Sequence, residues 1–197
     1  TSILYFHRNI MKFIILGCGS SMGVPRPDGY FGKCNPKNKK NYRSRCSALI
    51  KTKSETALID TSPDLRQQLL VNRITNIDKV FYSHKHADQT HGINDLRVFF
   101  IKNKKTIPVY VDQETHKYLF QTFKYCFVNN SKEYPATLKL NSIHKNLFVK
   151  EGNKKIMIKP IKVQHGNIKS ICYIIDKKLA YISDVSYIEK KNFKYFN

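Results

Sequence analysis

The chain has 197 residues, 41% hydrophobic and 25% charged, with 35 Lys and Arg against 14 Asp and Glu for a formal charge of +21. This composition excludes a disordered tail. With only 8 Gly and 7 Pro it is also no low-complexity linker, and no apolar run approaches the ~20 residues of a membrane-spanning helix. It suits one domain with a substantial core and favours an anionic partner: nucleic acid, a phosphorylated small molecule or an acidic lipid surface.

Met11 opens a clean strand, Lys12–Leu16, so residues 1–10 read as an upstream leader or a non-native segment and 11–197 as the domain. A Gly-rich loop follows, with glycines at 17, 19 and 23, then a polar loop reaching about Arg45. Cys46–Lys51 and Thr56–Asp60 read as a hairpin. Ser62-Pro63-Asp64 reads as a helix start, with Ser62 as cap and Leu65, Leu69 and Leu70 on one face. A short apolar strand, Lys79–Ser83, ends at His84, and a helix is expected from about Gly92 to Lys102. Ile107–Val111 reads as a strand, after which Asp112 caps a helix carrying Leu119, Phe120, Phe123 and Phe127. Strands are expected at Leu147–Lys150, Lys155–Val163, Ser170–Asp176 and Leu179–Ser183. Paired strands mixed with β-α-β steps predict stacked sheets with helices outside them.

Five cysteines, an odd number with no C-x-x-C, read as a reducing, cytoplasmic setting, with Cys46, Cys126 and Cys172 as small buried hydrophobes. Lys outnumbers Arg 28 to 7, a bias that A/T-rich codons also produce, so charge alone does not establish nucleic-acid binding. No basic block alternates with stacking aromatics. The sparse arginines Arg26, Arg43, Arg45, Arg66 and Arg97 lie in the first half, where flat bidentate donors suit a phosphate. Glycines spaced G-x-G-x-x-x-G are followed by Val24-Pro25-Arg26-Pro27, which cannot open a helix, so a dinucleotide fold is rejected. The loop is expected instead to offer backbone N–H groups to a phosphate oxygen.

The chemistry concentrates in Ser83-His84-Lys85-His86-Ala87-Asp88-Gln89-Thr90-His91-Gly92, which holds three of the chain's seven His. In extended backbone His84 and His86 face the same side and suit one metal ion; Asp88 follows where the chain turns and suits a second. Zinc, manganese and iron all accept such ligands. The end of a strand opening into a loop is where layered α/β folds bind ligands. Asp60 is read as support for this loop, and His7, His116 and His144 as surface residues.

The His84-x-His86-x-Asp88 motif after an apolar strand resembles the H-x-H-x-D-H signature of the metallo-β-lactamase fold. Further segments resemble its PhnP-like branch, named for phosphoribosyl 1,2-cyclic phosphate phosphodiesterase: Gly17-x-Gly19-Ser20-Ser21-x-Gly23-x-Pro25-Arg26, Arg43-x-Arg45-Cys46-Ser47, Ile59-Asp60-x-Ser62-Pro63-Asp64-Leu65-Arg66 and His91-Gly92-Ile93-Asn94-Asp95-Leu96-Arg97. The resemblance implies a four-layer αββα sandwich, truncated at its C-terminal end, and two divalent metal ions, zinc first among them. It implies His165 as a further ligand and Asp184 as the carboxylate bridging both ions. It implies hydrolysis of a small phosphodiester, cyclic esters included, by a metal-bound hydroxide, with Asp88 and Asp184 as catalytic carboxylates. Arg26, Arg45 and Arg97 are the candidate phosphate clamps.

Two departures stand out. Gln89 occupies the place of the signature's last His, leaving His91 as a candidate second-metal or substrate ligand, and no His follows Asp184. The competing readings are an RNA-processing nuclease of the same fold and a non-catalytic metal- or nucleic-acid-binding protein. The implied partner is an anionic phosphorylated small molecule, with nucleic acid as the alternative, no membrane, and a homodimer as a candidate assembly.

Overall fold

In the computed structural model, which describes residues 2–6, 11–129, 131 and 134–196, two sheets stack face to face. The larger contains β1 (Ser2–Phe6), β2 (Met11–Gly17), β3 (Ser47–Thr52), β4 (Thr56–Ile59), β5 (Lys79–Phe81), β6 (Ile107–Val111) and β7 (Leu138–Ser142) in chain order. Pairing is antiparallel from β1 to β4 and parallel from β4 to β7. The smaller sheet contains β8 (Leu147–Glu151), β9 (Lys154–His165), β10 (Ile168–Ile175) and β11 (Leu179–Tyr181), each antiparallel to the one before.

Alternation along the central strands sets the layers. Leu49, Leu58 and Val80 face the helices, where Leu65, Leu96 and Leu119 cover them. Ala48, Ile50, Ile59 and Phe81 face the smaller sheet and meet Val149, Ile158 and Tyr173. The helical layer comprises α1 (Leu65–Val71), α2 (Ala87–Thr90), α3 (Arg97–Asn103) and α4 (Gln113–Thr122). Ile161, Val163, Cys172 and Ile174 on the far side of the smaller sheet are covered by Ile182, Ile188, Tyr195 and Phe196. That fourth layer includes a 3₁₀ helix at Lys190–Tyr195. The αββα order expected from the resemblance is present.

Local differences have identifiable causes. The helix expected at Ser62 begins at Leu65, because Ser62 Oγ accepts the Asp64 N–H at 3.1 Å and forms a turn instead of a cap. Leu70 lies on the exposed face of α1 at 58% exposure. Asp112 does cap α4, accepting the Thr115 N–H at 2.9 Å, but α4 ends before Phe123 and leaves Phe127 beyond it. Strand β7 was not expected; in it only Leu138 is buried, which leaves little alternation to read. The leader expected over residues 1–10 falls partly outside the described residues, at 1 and 7–10, as does His7; residues 2–6 form β1 and pair with β2.

The loop after β4 and the turn after α2 are pressed together. Gly92 N–H donates to Thr61 C=O at 2.9 Å, and a Cβ at Gly92 would stand 2.0 Å from the Ser62 carbonyl oxygen. Both partners are backbone, so neither yields cheaply. Gly92→Ala is expected to cost about 1–3 kcal/mol, seen as a fall of several degrees in the thermal unfolding midpoint. An unchanged midpoint would show that the two loops separate freely.

Candidate metal centre

Parallel pairing of β4 with β5 brings both strands to an end at the same edge, and Asp60 stands there with no exposed surface. Its backbone is left-handed (φ 61°) and its N–H donates to Phe81 C=O. Its carboxylate accepts the Ser83 N–H at 2.7 Å and the Ser83 hydroxyl at 2.8 Å. Burial pushes the Asp60 carboxyl up to about 8; Asp184 and Asp88 add to the rise and the Ser83 bonds oppose it. Ser83 Oγ in turn lies 3.0 Å from His84 Nδ1 and accepts the Ser183 hydroxyl at 3.2 Å. One hydroxyl thus joins Asp60, His84 and the segment leading to Asp184, and turns His84 Nε2 toward the other imidazoles.

The smaller sheet is tied to the same point. Ile171 N–H donates to Ser83 C=O at 2.9 Å, and the Tyr173 hydroxyl donates to Tyr82 C=O at 2.7 Å. These bonds set the end of β9 against the loop after β5 and deliver His165. The ligand atoms of His84, His86 and His165 all lie within 4.8 Å of one another, with His84 Nε2 and His86 Nδ1 3.0 Å apart. Two nitrogens on one tetrahedral zinc stand about 3.3 Å apart, so the donor set fits a single ion. Burial, reinforced by the two neighbouring imidazoles, drives His84 down to about 3, which keeps its ring neutral and its lone pair free. Asp184, in the bend after β11, places Oδ2 3.9 Å from His84 Nε2.

Residues 55–196, which include all of these side chains, match the sequence family described as the beta-lactamase superfamily domain. The chain belongs to the beta-lactamase superfamily. Within it, the chain resembles a diphosphatase from the PhnP family, at 27% identity and a TM-score of 0.78 over 93% of this chain and 69% of that one. That likeness supports the PhnP-like branch. Human tRNase Z, short form, shares the fold at 16% identity and a TM-score of 0.61, over 92% of this chain and 73% of that one. An octanoyltransferase of Porphyromonas gingivalis (strain ATCC BAA-308 / W83) is 32% identical over 178 residues, 89% of this chain but 35% of that protein. The chain thus spans about a third of this curated relative, whose name is that of the whole protein. The metallo-β-lactamase fold implies divalent metal, and the three imidazoles are where it fits here.

At the place of the signature's last His, an amide stands between two of the candidate carboxylate ligands. Gln89 is fully buried, and its Nε2 donates to Asp88 Oδ2 at 2.9 Å and to Asp184 Oδ2 at 3.2 Å. His91, the candidate replacement ligand, lies outside the imidazole cluster: its Nε2 is 3.0 Å from the Tyr118 hydroxyl and its ring packs edge-on to Phe123.

The candidate phosphate clamps are engaged elsewhere. Arg26 pairs with Asp28 and stacks over Tyr30, and Arg97 lies over the Tyr134 ring at 5.5 Å. Arg45 is held by Asp64 through Nε at 3.0 Å and Nη2 at 2.6 Å, although it also lies in the field of Asp88. In the Gly-rich loop, the Gly19 and Gly23 N–H groups already donate to Ser44 and Ser20 carbonyls. Sequence reading missed Ser83 and Ser183, since a serine beside a ligand carries no pattern of its own.

Because Asp60 acts on His84 through Ser83, Asp60→Asn is expected to weaken zinc binding by about 10–100-fold while leaving the fold intact. Competition against a chromogenic chelator, with circular dichroism as the folding control, measures it. Unchanged affinity would remove Asp60 from this positioning role.

Proposed function

We propose that this chain is a hydrolytic domain for phosphodiesters, acting on a small anionic phosphate ester, cyclic esters included, with zinc at His84, His86 and His165. The carrying observation is the imidazole cluster beside Asp184, in a chain that resembles a PhnP-family diphosphatase. Bound zinc supplies Lewis acidity and lowers the pKa of water toward about 7.

The chain's own groups supply the rest. His84 is held in one orientation by Ser83 and arrives neutral. Asp88 and Asp184 each have one oxygen on Gln89; in this reading the other, Oδ1, accepts the proton of the attacking water. A cavity of about 590 Å³ lies beside the Gly-rich loop, lined by Gly17, Cys18, Arg43, Arg45 and Asp64 among others. In this reading it takes the substrate's anionic arm, drawn in by the surplus of lysine and arginine.

The same +21 charge favours a second reading, RNA as the phosphodiester. RNA binding that falls steeply with salt, together with cleavage, distinguishes it from the small-ester reading.

Hydrolysis of bis-p-nitrophenyl phosphate by the purified chain is expected to require added zinc, to stop on chelation and to be lost in His86→Ala. Full activity in that variant, or activity indifferent to chelator, overturns the metal-dependent reading.

A further inference from the structure

The carboxylates of Asp88, which is buried, and Asp184, a third of whose side chain is exposed, meet at one residue, and two like charges so placed are relieved by a cation or by shared donors. Here they share the Gln89 carboxamide, whose single NH₂ group donates to an oxygen of each at 2.9 and 3.2 Å. The side chain is pinned at its base. Gln89 N–H donates to His86 C=O at 3.0 Å, Gln89 C=O accepts the Thr61 N–H at 2.7 Å, and no surface of the residue is exposed.

The orientation of the amide is decided by its neighbours. Gln89 Oε1 is buried with no hydrogen-bond partner, a costly state for an acceptor. Turning the amide over would set Oε1 against two carboxylate oxygens and strip both of their donor, which is worse. The atom presented to both acids is therefore the nitrogen, which has no lone pair to give a cation. The only atom of Gln89 able to bind a metal ion is on the other branch of the amide.

We infer that Gln89 takes the place of a second cation between Asp88 and Asp184, so that this centre holds a single metal ion. The inference rests on reading His84, His86 and His165 as the site of that ion. In this arrangement Asp88 is not a metal ligand. It is a hydrogen-bonded carboxylate beside the reacting centre, and Gln89 is a positioning residue that fixes the spacing of the two acids.

The test is ion stoichiometry, which does not depend on turnover. The purified chain is loaded with excess zinc, desalted, and weighed by native mass spectrometry beside Asp88→Asn and Gln89→His. One zinc per chain is expected for the wild type. Asp88→Asn is expected to keep one, and Gln89→His, which restores an imidazole between the acids, to take two. Two retained ions in the wild type, a drop in Asp88→Asn, or a single ion in a folded Gln89→His would each overturn the inference, as would none in the wild type. Where Gln89→His does not fold, the wild type and Asp88→Asn decide it. One ion without phosphodiester hydrolysis would sink the proposed function and leave this inference standing; two ions with hydrolysis would do the reverse.

Discussion

The contact between Asp60 and Ser83 organises this end of the molecule. A fully buried carboxylate is costly unless its oxygens are met by donors. Ser83 meets both, one oxygen by its N–H and the other by its hydroxyl. That requirement fixes the path of the chain as it leaves β5. The same hydroxyl then reaches His84 and Ser183, and the Ser83 carbonyl accepts from Ile171 in the smaller sheet. The two sheets, the imidazole loop and the segment bearing Asp184 converge on one serine. Next to it, Thr61 accepts the Gly92 N–H and donates to the Gln89 carbonyl, so the loop after β4 clamps the C-terminal side of the α2 turn.

Charge is divided unequally between inside and outside. The surplus of lysine and arginine gives the molecule a strong positive field, yet the centre is built from three imidazoles and three acids. Burial raises Asp60 and lowers His84, both in the direction of the uncharged form. A cation among the imidazoles reverses that pressure on the acids. Asp88 and Asp184 are partly relieved by an amide, which leaves a demand for positive charge centred on the three histidines.

The arginines show how far residue type can mislead. Rarity among so many lysines marks Arg26, Arg45 and Arg97 as selected for their planar donors, and two of them do use them in pairs with carboxylates: Asp28 for Arg26 and Asp64 for Arg45. What rarity does not reveal is which carboxylate or phosphate the donor meets. Arg45 bonds to Asp64 from both its backbone N–H and its guanidinium, anchoring the long loop after β2 to the start of α1.

The sequence by itself determined β2 to β6 and β8 to β11, because alternation and apolar runs record which faces are buried; β1 and β7 were not among them. It determined the pairing of His84 with His86, because side chains two apart in extended backbone share a side. The family resemblance, rather than any local pattern, pointed to His165 and Asp184. Only the tertiary structure decided the rest: that β9 ends against the loop after β5, that His91 turns to Tyr118 and Phe123, and that Gln89 faces two acids with its nitrogen. The physical reason is the same in each case. A local pattern encodes backbone conformation and which face a residue occupies, whereas the partner of a buried polar group lies on a distant segment and is fixed only when the sheets pack.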